Sequence, residues 1–182
     1  MPDAYIVAYC SPTLANLKTG SLFTVHDAKE SVLRDVRVLN RRITRYGLRM
    51  VPLRIRENST LLYLYRPDRL QKDLIQPQAA GILSRRGYPV SDSERCVADI
   101  ARHLQSGEEF PHEIGLFLSY PPEDVLGFMT HPRTGVKAVG LWKVYSDRVS
   151  AEKTFRMYDR CTAVYRNAVS LGSTLEQLIV RG

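Results

Sequence analysis

Residues 110–128, FPHEIGLFLSYPPEDVLGF, set an apolar run directly against two prolines and two acids. The run 113–119 reads as a strand. Pro121-Pro122 stops its ladder, because proline has no backbone donor and its φ is already that of a helix start. Glu123 and Asp124 then suit the positive end of a short helix over 122–129. The same passage from an apolar strand, through a tyrosine, into a helix recurs in AYCSPT, LYRPDR and VYSDR. With LSYPPED included, the tyrosines stand at positions 9, 65, 120 and 145.

Residues 4–9, AYIVAY, read as a buried strand. Ser11 suits the N-cap of a helix after it, and Pro12 that helix's first position. Residues 18–21 read as a loop. A long helix is expected from about 28 to 46, opened by Asp27 with Glu30 and closed by Gly47. Val32, Val36, Leu39, Ile43 and Tyr46 form its apolar stripe, and Arg34, Arg37, Arg41 and Arg45 lie opposite. The β-rich segments 49–55 and 61–66 flank Glu-Asn-Ser-Thr and predict a hairpin. Helices are expected over 67–75, over 77–86 and from Ser91 with Glu94. Gly107-Glu108-Glu109 reads as a turn. A strand over 136–145 leads, through Ser146-Asp147, into a helix reaching about 170. Ser173 with Glu176 caps a last short helix.

These elements predict an α/β fold over residues 1–182 as a single domain. Its sheet is expected to be mixed but mainly parallel, with about five strands flanked by helices. The hairpin requires at least one antiparallel pair. In such a sheet the strand ends share one edge, where open α/β folds place their ligands. That edge collects Tyr9, Cys10, Ser11, Thr13, Arg66, Ser119, Tyr120 and Ser146. The helix starts beside them add N–H donors for an anion.

Composition narrows the classes of function. A chain of 182 residues can bury a sizeable core. No apolar run approaches the roughly 20 residues that cross a bilayer, and MPDAYIVAYC lacks the basic start of a signal peptide. A soluble, cytoplasmic protein is expected. Three separated cysteines exclude a disulfide scaffold or a CxxC zinc site. The net charge of +7 comes from 26 basic residues, most of them arginine. Arginine suits bidentate contacts with phosphate or carboxylate.

Three functional readings stand side by side. In the first, a small anionic ligand binds at the shared edge. Arg66 supplies charge, Ser11, Thr13, Ser119 and Ser146 stand among the donors, and Tyr9 and Tyr120 form walls. Cys10 is then the candidate nucleophile, because a helix start favours thiolate. Whether catalysis occurs is left open, and no cofactor is assigned. In the second, the Arg34, Arg37, Arg41 and Arg45 stripe binds a protein or nucleic acid. In the third, Cys10, Cys161 or His112 holds a transition metal or serves redox chemistry. The chain has no HExxH, GxSxG, P-loop or GxGxxG motif.

The segments YCSPTLANLKTGSLF, LLYLYRPDRL, FPHEIGLFLSYPPEDVLGF and GLWKVYSD, with a later helix containing RCTAVY, resemble the bacterial DUF3793 family across essentially the whole chain. The resemblance implies an uncharacterised, stand-alone cytoplasmic bacterial protein. It brings no catalytic residue or cofactor. An expected association with flavodoxin or iron-uptake genes is what it adds to the metal and redox reading.

Overall fold

The computed structural model describes residues 1–107 and 109–181. The turn expected at 107–109 falls partly on Glu108, outside the described residues.

At the centre is an antiparallel three-stranded sheet. Strands β1 (Gly20–Val25), β2 (Arg49–Arg56) and β3 (Ser59–Tyr65) lie in the order β1-β3-β2. Strand β3 runs down the middle, pairing Gly20 with Tyr65 on one side and Arg49 with Tyr65 on the other. Its run LLYLY, residues 61–65, is apolar throughout because both of its faces are covered. Side chains alternate along a strand, so Leu61, Tyr63 and Tyr65 enter one core while Leu62 and Leu64 enter the other. Strand β2 takes a bulge between Pro52 and Arg54, in keeping with proline's confinement to edge strands.

Helices cover both faces. On one lie α1 (Asp3–Leu14), α2 (Lys29–Ile43) and α9 (Leu175–Leu178), with the long α8 (Arg148–Ser170) lying along α1. On the other lie α3 (Pro67–Leu74), α4 (Pro77–Ser84), α5 (Ser93–Ser106), α6 (Ile114–Phe117) and α7 (Pro122–Thr130). A two-stranded ribbon, β4 (Ala138–Val139) and β5 (Lys143–Val144), joins α7 to α8.

This architecture overturns the mainly parallel five-stranded sheet. Residues 4–9 belong to helix α1, not to a strand. Ile6, Val7, Cys10 and Leu14 recur at helical spacing and are buried, while Tyr9 faces outward. Residues 113–119 contain a single helical turn, α6, whose four residues are all buried. The segment ends at Ser119, a non-glycine residue with φ of 60°, and Tyr120 N–H bonds back to Gly115 O. An added Cβ on Gly115 would lie 2.8 Å from Val125 Cγ2, so glycine lets α6 rest directly against α7. Of 136–145, only Ala138–Val139 and Lys143–Val144 pair as strand, in a tight ribbon. Conversely, the expected loop at 18–21 contains the start of β1. The shared carboxyl edge therefore does not exist: of the four tyrosine breaks, only Tyr65-Arg66 ends a strand of the main sheet.

Other elements match their expected places. The hairpin is β2–β3, the Val32/Val36/Leu39/Ile43 stripe is the buried face of α2, and α3 begins at Pro67. Helix α2 gives way at Thr44–Tyr46 to a 3₁₀ turn closed by left-handed Gly47.

Candidate functional site

Helix α1 ends against two arginines from the start of α3. Arg66 is 4% exposed. Its Nε donates to Thr13 O at 2.9 Å, and its Nη2 donates to Leu14 O at 2.9 Å and Val180 O at 2.6 Å. Arg69 Nη1 donates to Asn16 O, and Nη2 to Leu17 O at 3.2 Å. Carbonyls at a helix C-terminus lack intrahelical partners and carry partial negative charge. The two guanidinium groups add to the donors there, joining Asn16 N–H on Thr13 O and Val180 N–H on Leu14 O.

These arginines also form one wall of a cleft of about 400 Å³. Arg45, Lys72 and Arg181 complete its cationic lining, and Asp68 is its one acidic residue. The Arg45 and Arg181 guanidinium groups both lie over the Tyr46 ring, at 4.9 and 5.5 Å from its centroid. Among the described residues, none of the five cations lies within 4.0 Å of a carboxylate oxygen. Burial, and then repulsion from Arg69, pull the Arg66 pKa below its ordinary value.

Residues 110–128, with Leu22, Trp142 and Lys143, build an apolar chamber of about 260 Å³. Phe110, Tyr120, Phe128 and Trp142 supply aromatic walls. Tyr120 stacks on Trp142 at 4.7 Å. Asp124, 2% exposed, fixes the ribbon that carries Trp142. Its carboxylate accepts from Trp142 Nε1 at 2.8 Å and from the Tyr145 and Ser146 amides, each at 2.7 Å. The Lys143 ammonium, at the rim, donates to Pro132 O and lies over Phe128.

The residues expected along one edge are dispersed. Tyr9 is half exposed on the outer side of α1, stacked on Phe23 at 5.3 Å. Ser11 Oγ donates to Val7 O, and the Thr13 hydroxyl bonds to Ser21 Oγ. Both lie inside the core. Cys10 is fully buried, and burial raises its pKa, which disfavours thiolate. Ser119 Oγ accepts from Thr19 N–H. Ser119 and Ser146 meet at a groove beside α7 and α8 that Arg69 also borders. Of the residues expected at the edge, only Arg66 lines the cationic cleft.

Arg34, Arg37, Arg41 and Arg45 are arrayed along α2 and the turn after it as expected, and Arg45 belongs to the cleft. His112 and Cys10 are associated with opposite faces of the sheet, and Cys161 lies on α8. Among the described residues, no three His, Cys, Asp or Glu side chains form a group able to hold a metal. No described helix is long and apolar enough to cross a membrane.

Sequence reasoning missed Arg69, Lys72, Arg181 and Tyr46 as cleft residues. Arg69 was accessible, since RPDR places two arginines one helical turn apart. Arg181 was not, because only the tertiary fold brings residue 181 to the end of α1.

The fold and its clefts define a three-layer protein, helices on both faces of a small antiparallel sheet, with a cationic cleft where the end of α1 meets α3 and an aromatic chamber beside α6 and α7. Residues 6–179 match the family described as protein of unknown function (DUF3793), and the chain belongs to that family. No curated protein and no solved structure matches it.

Proposed function

We propose that the protein binds a small anionic ligand, bearing phosphate or carboxylate, in the cleft formed by Arg45, Arg66, Arg69, Lys72 and Arg181. The convergence of five cations without a paired carboxylate among the described residues carries this reading. Like charges held together repel one another, and an anion relieves the repulsion while supplying acceptors for the unused donors. Arg66 and Arg69 set the floor, because their hydrogen bonds to backbone hold them in place. Arg45 and Arg181 are the long arms, splayed over Tyr46 and free of hydrogen bonds to protein acceptors among the described residues. The cleft volume falls within the usual small-molecule range of about 300–1,000 Å³.

Calorimetric titration with pyrophosphate and with citrate tests this. Arg45→Gln with Arg181→Gln is expected to weaken binding at least tenfold while leaving the thermal midpoint nearly unchanged. Unaltered affinity in the double variant, or no binding of either probe to the parent protein, rejects the reading.

A second reading rests on Arg34, Arg37 and Arg41, which share α2 and lead toward Arg45. Arg42 on the same helix is committed to Asp3 and Glu176. The arginine row suits an extended polyanion. Nucleic-acid affinity that falls steeply with salt, and less steeply in Arg37→Glu with Arg41→Glu, is its signature. A flat salt response removes it.

A further inference from the structure

Glu113 follows His112 at the entry to α6 and is 1% exposed. Its Oε1 accepts from the Tyr88 hydroxyl at 2.9 Å. The Tyr88 oxygen lies 2.8 Å from His103 Nδ1. Tyr88 gives its one proton to the carboxylate, so His103 Nδ1 is the donor in that second bond. Glu113 Oε2 is different: among the described residues it has no hydrogen-bond partner. The Arg86 guanidinium comes within 3.3 Å, an ion-pair distance, but makes no hydrogen bond to it. A buried carboxylate oxygen without a donor is costly.

Glu113 lines a cavity of about 400 Å³ with Arg86, His103, Glu109, Phe110, Pro111, His112 and Met129. Phe110 and His112 also line the aromatic chamber. An apolar space walled by rings therefore adjoins a polar space that holds an unsatisfied acceptor. Inside the chamber itself, the Asp124 oxygens and the Lys143 ammonium are already engaged.

The geometry points to a second ligand site, separate from the cationic cleft, for a small arylalkylamine that carries an ammonium at neutral pH. Its ring enters the chamber of Phe110, Tyr120, Phe128 and Trp142, and its amino group donates to Glu113 Oε2 past the Phe110–His112 rim. The chamber selects a flat apolar body. The oxygen, which meets only the Arg86 ion-pair contact and no hydrogen-bond donor among the described residues, selects a donor, and an ammonium forms a stronger bond to carboxylate than a neutral N–H. An anionic head group meets the repulsion of a buried carboxylate and of Glu109. Arg86 is the competing cation, and 48% of its side chain is exposed.

Trp142 is the only tryptophan in the chain, so its fluorescence reports on the chamber. A titration with 4-nitrobenzylamine, whose ring quenches indole emission, is compared with 4-nitrobenzoate, which has the same ring and the opposite charge. Saturable quenching by the amine is expected, with at least tenfold weaker action of the carboxylate. Glu113→Gln is expected to weaken the amine at least tenfold, and Phe110→Ala about threefold. Arg86→Gln, at an exposed position, is expected to tighten it, which gives an independent reading if Glu113→Gln fails to fold. Equal quenching by the two probes, non-saturable quenching, or unchanged or weaker amine binding in Arg86→Gln overturns the proposal.

Discussion

At Arg66 the fold consumes a charge. The residue stands between β3 and α3, at the N-cap position, which suggests a ligand-facing cation. Its three short bonds instead go to backbone carbonyls of α1 and of residue 180. These partners lie 53, 52 and 114 residues away, so the use of the charge is invisible in LYRPDR. Arg66→Ala removes one donor each from the Thr13 and Leu14 carbonyls, which keep the Asn16 and Val180 amides, and removes the Arg66 bond to Val180 O. A cost of about 1–3 kcal/mol is expected. A shift in the urea midpoint measures it, and a neutral result would mean that solvent replaces the guanidinium. This is why the binding test falls on Arg45 and Arg181. Cys10 teaches the same lesson. Its neighbours Ser11-Pro12 resemble a helix start, yet they lie toward the end of α1, where the thiol is fully buried.

Among the elements, the hairpin, α2 and α3 were legible because two local signals agree in each: periodicity with a closing glycine, proline after a strand end, or two β-rich runs around a turn. The expected Asp27–Glu30 box does not form, and α2 starts after Ala28 with no side-chain cap. Segments 4–9 and 113–119 mislead because a short apolar run fits a strand or a buried helix equally well. In α1 the distinguishing signal is present, since Pro2 and Asp3 suit a helix start and the buried positions repeat at three and four. In α6 nothing local decides, and contacts with α3 and α7 favour the single turn. Strand β1 is hidden by Gly20, which reads as a breaker. An added Cβ there would lie 2.3 Å from Tyr63 Cε2. Tyr63 is fully buried, and its hydroxyl donates to Phe117 O at 2.6 Å, so the ring cannot retreat cheaply. Gly20→Ala is expected to destabilise by about 1–3 kcal/mol through overpacking. Thermal unfolding checks this, and a midpoint equal to the parent's would show that β1 can shift.

For the whole molecule, the mixing of helices with a sheet was legible, but the size and direction of the sheet were not. Strand order depends on β1 and on three-layer packing that no single segment encodes. One tie spans nearly the full sequence. Arg42 in α2 holds Asp3 at 2.8 Å by two bonds and Glu176 at 2.7 and 3.0 Å. Its hydrogen bonds hold the pKa of both carboxyls below their ordinary values. Groups with depressed folded pKa values stabilise above their unfolded values, about 3.9 for Asp and 4.3 for Glu, and lose that contribution as pH falls through the folded ones. Arg42→Gln is therefore expected to lower the urea midpoint at pH 7, with the gap closing below about pH 4. A gap that persists undiminished at low pH would rule the tie out as its source. The layered core also contains a pair of clocks. Cys10 is sealed beneath one face of the sheet and Cys96 beneath the other. With the more accessible Cys161 replaced by serine, each remaining thiol can be alkylated only when its own layer opens. The two alkylation rates then time those openings separately: matching rates mark one concerted breathing event, and unequal rates reveal which half of the protein loosens first.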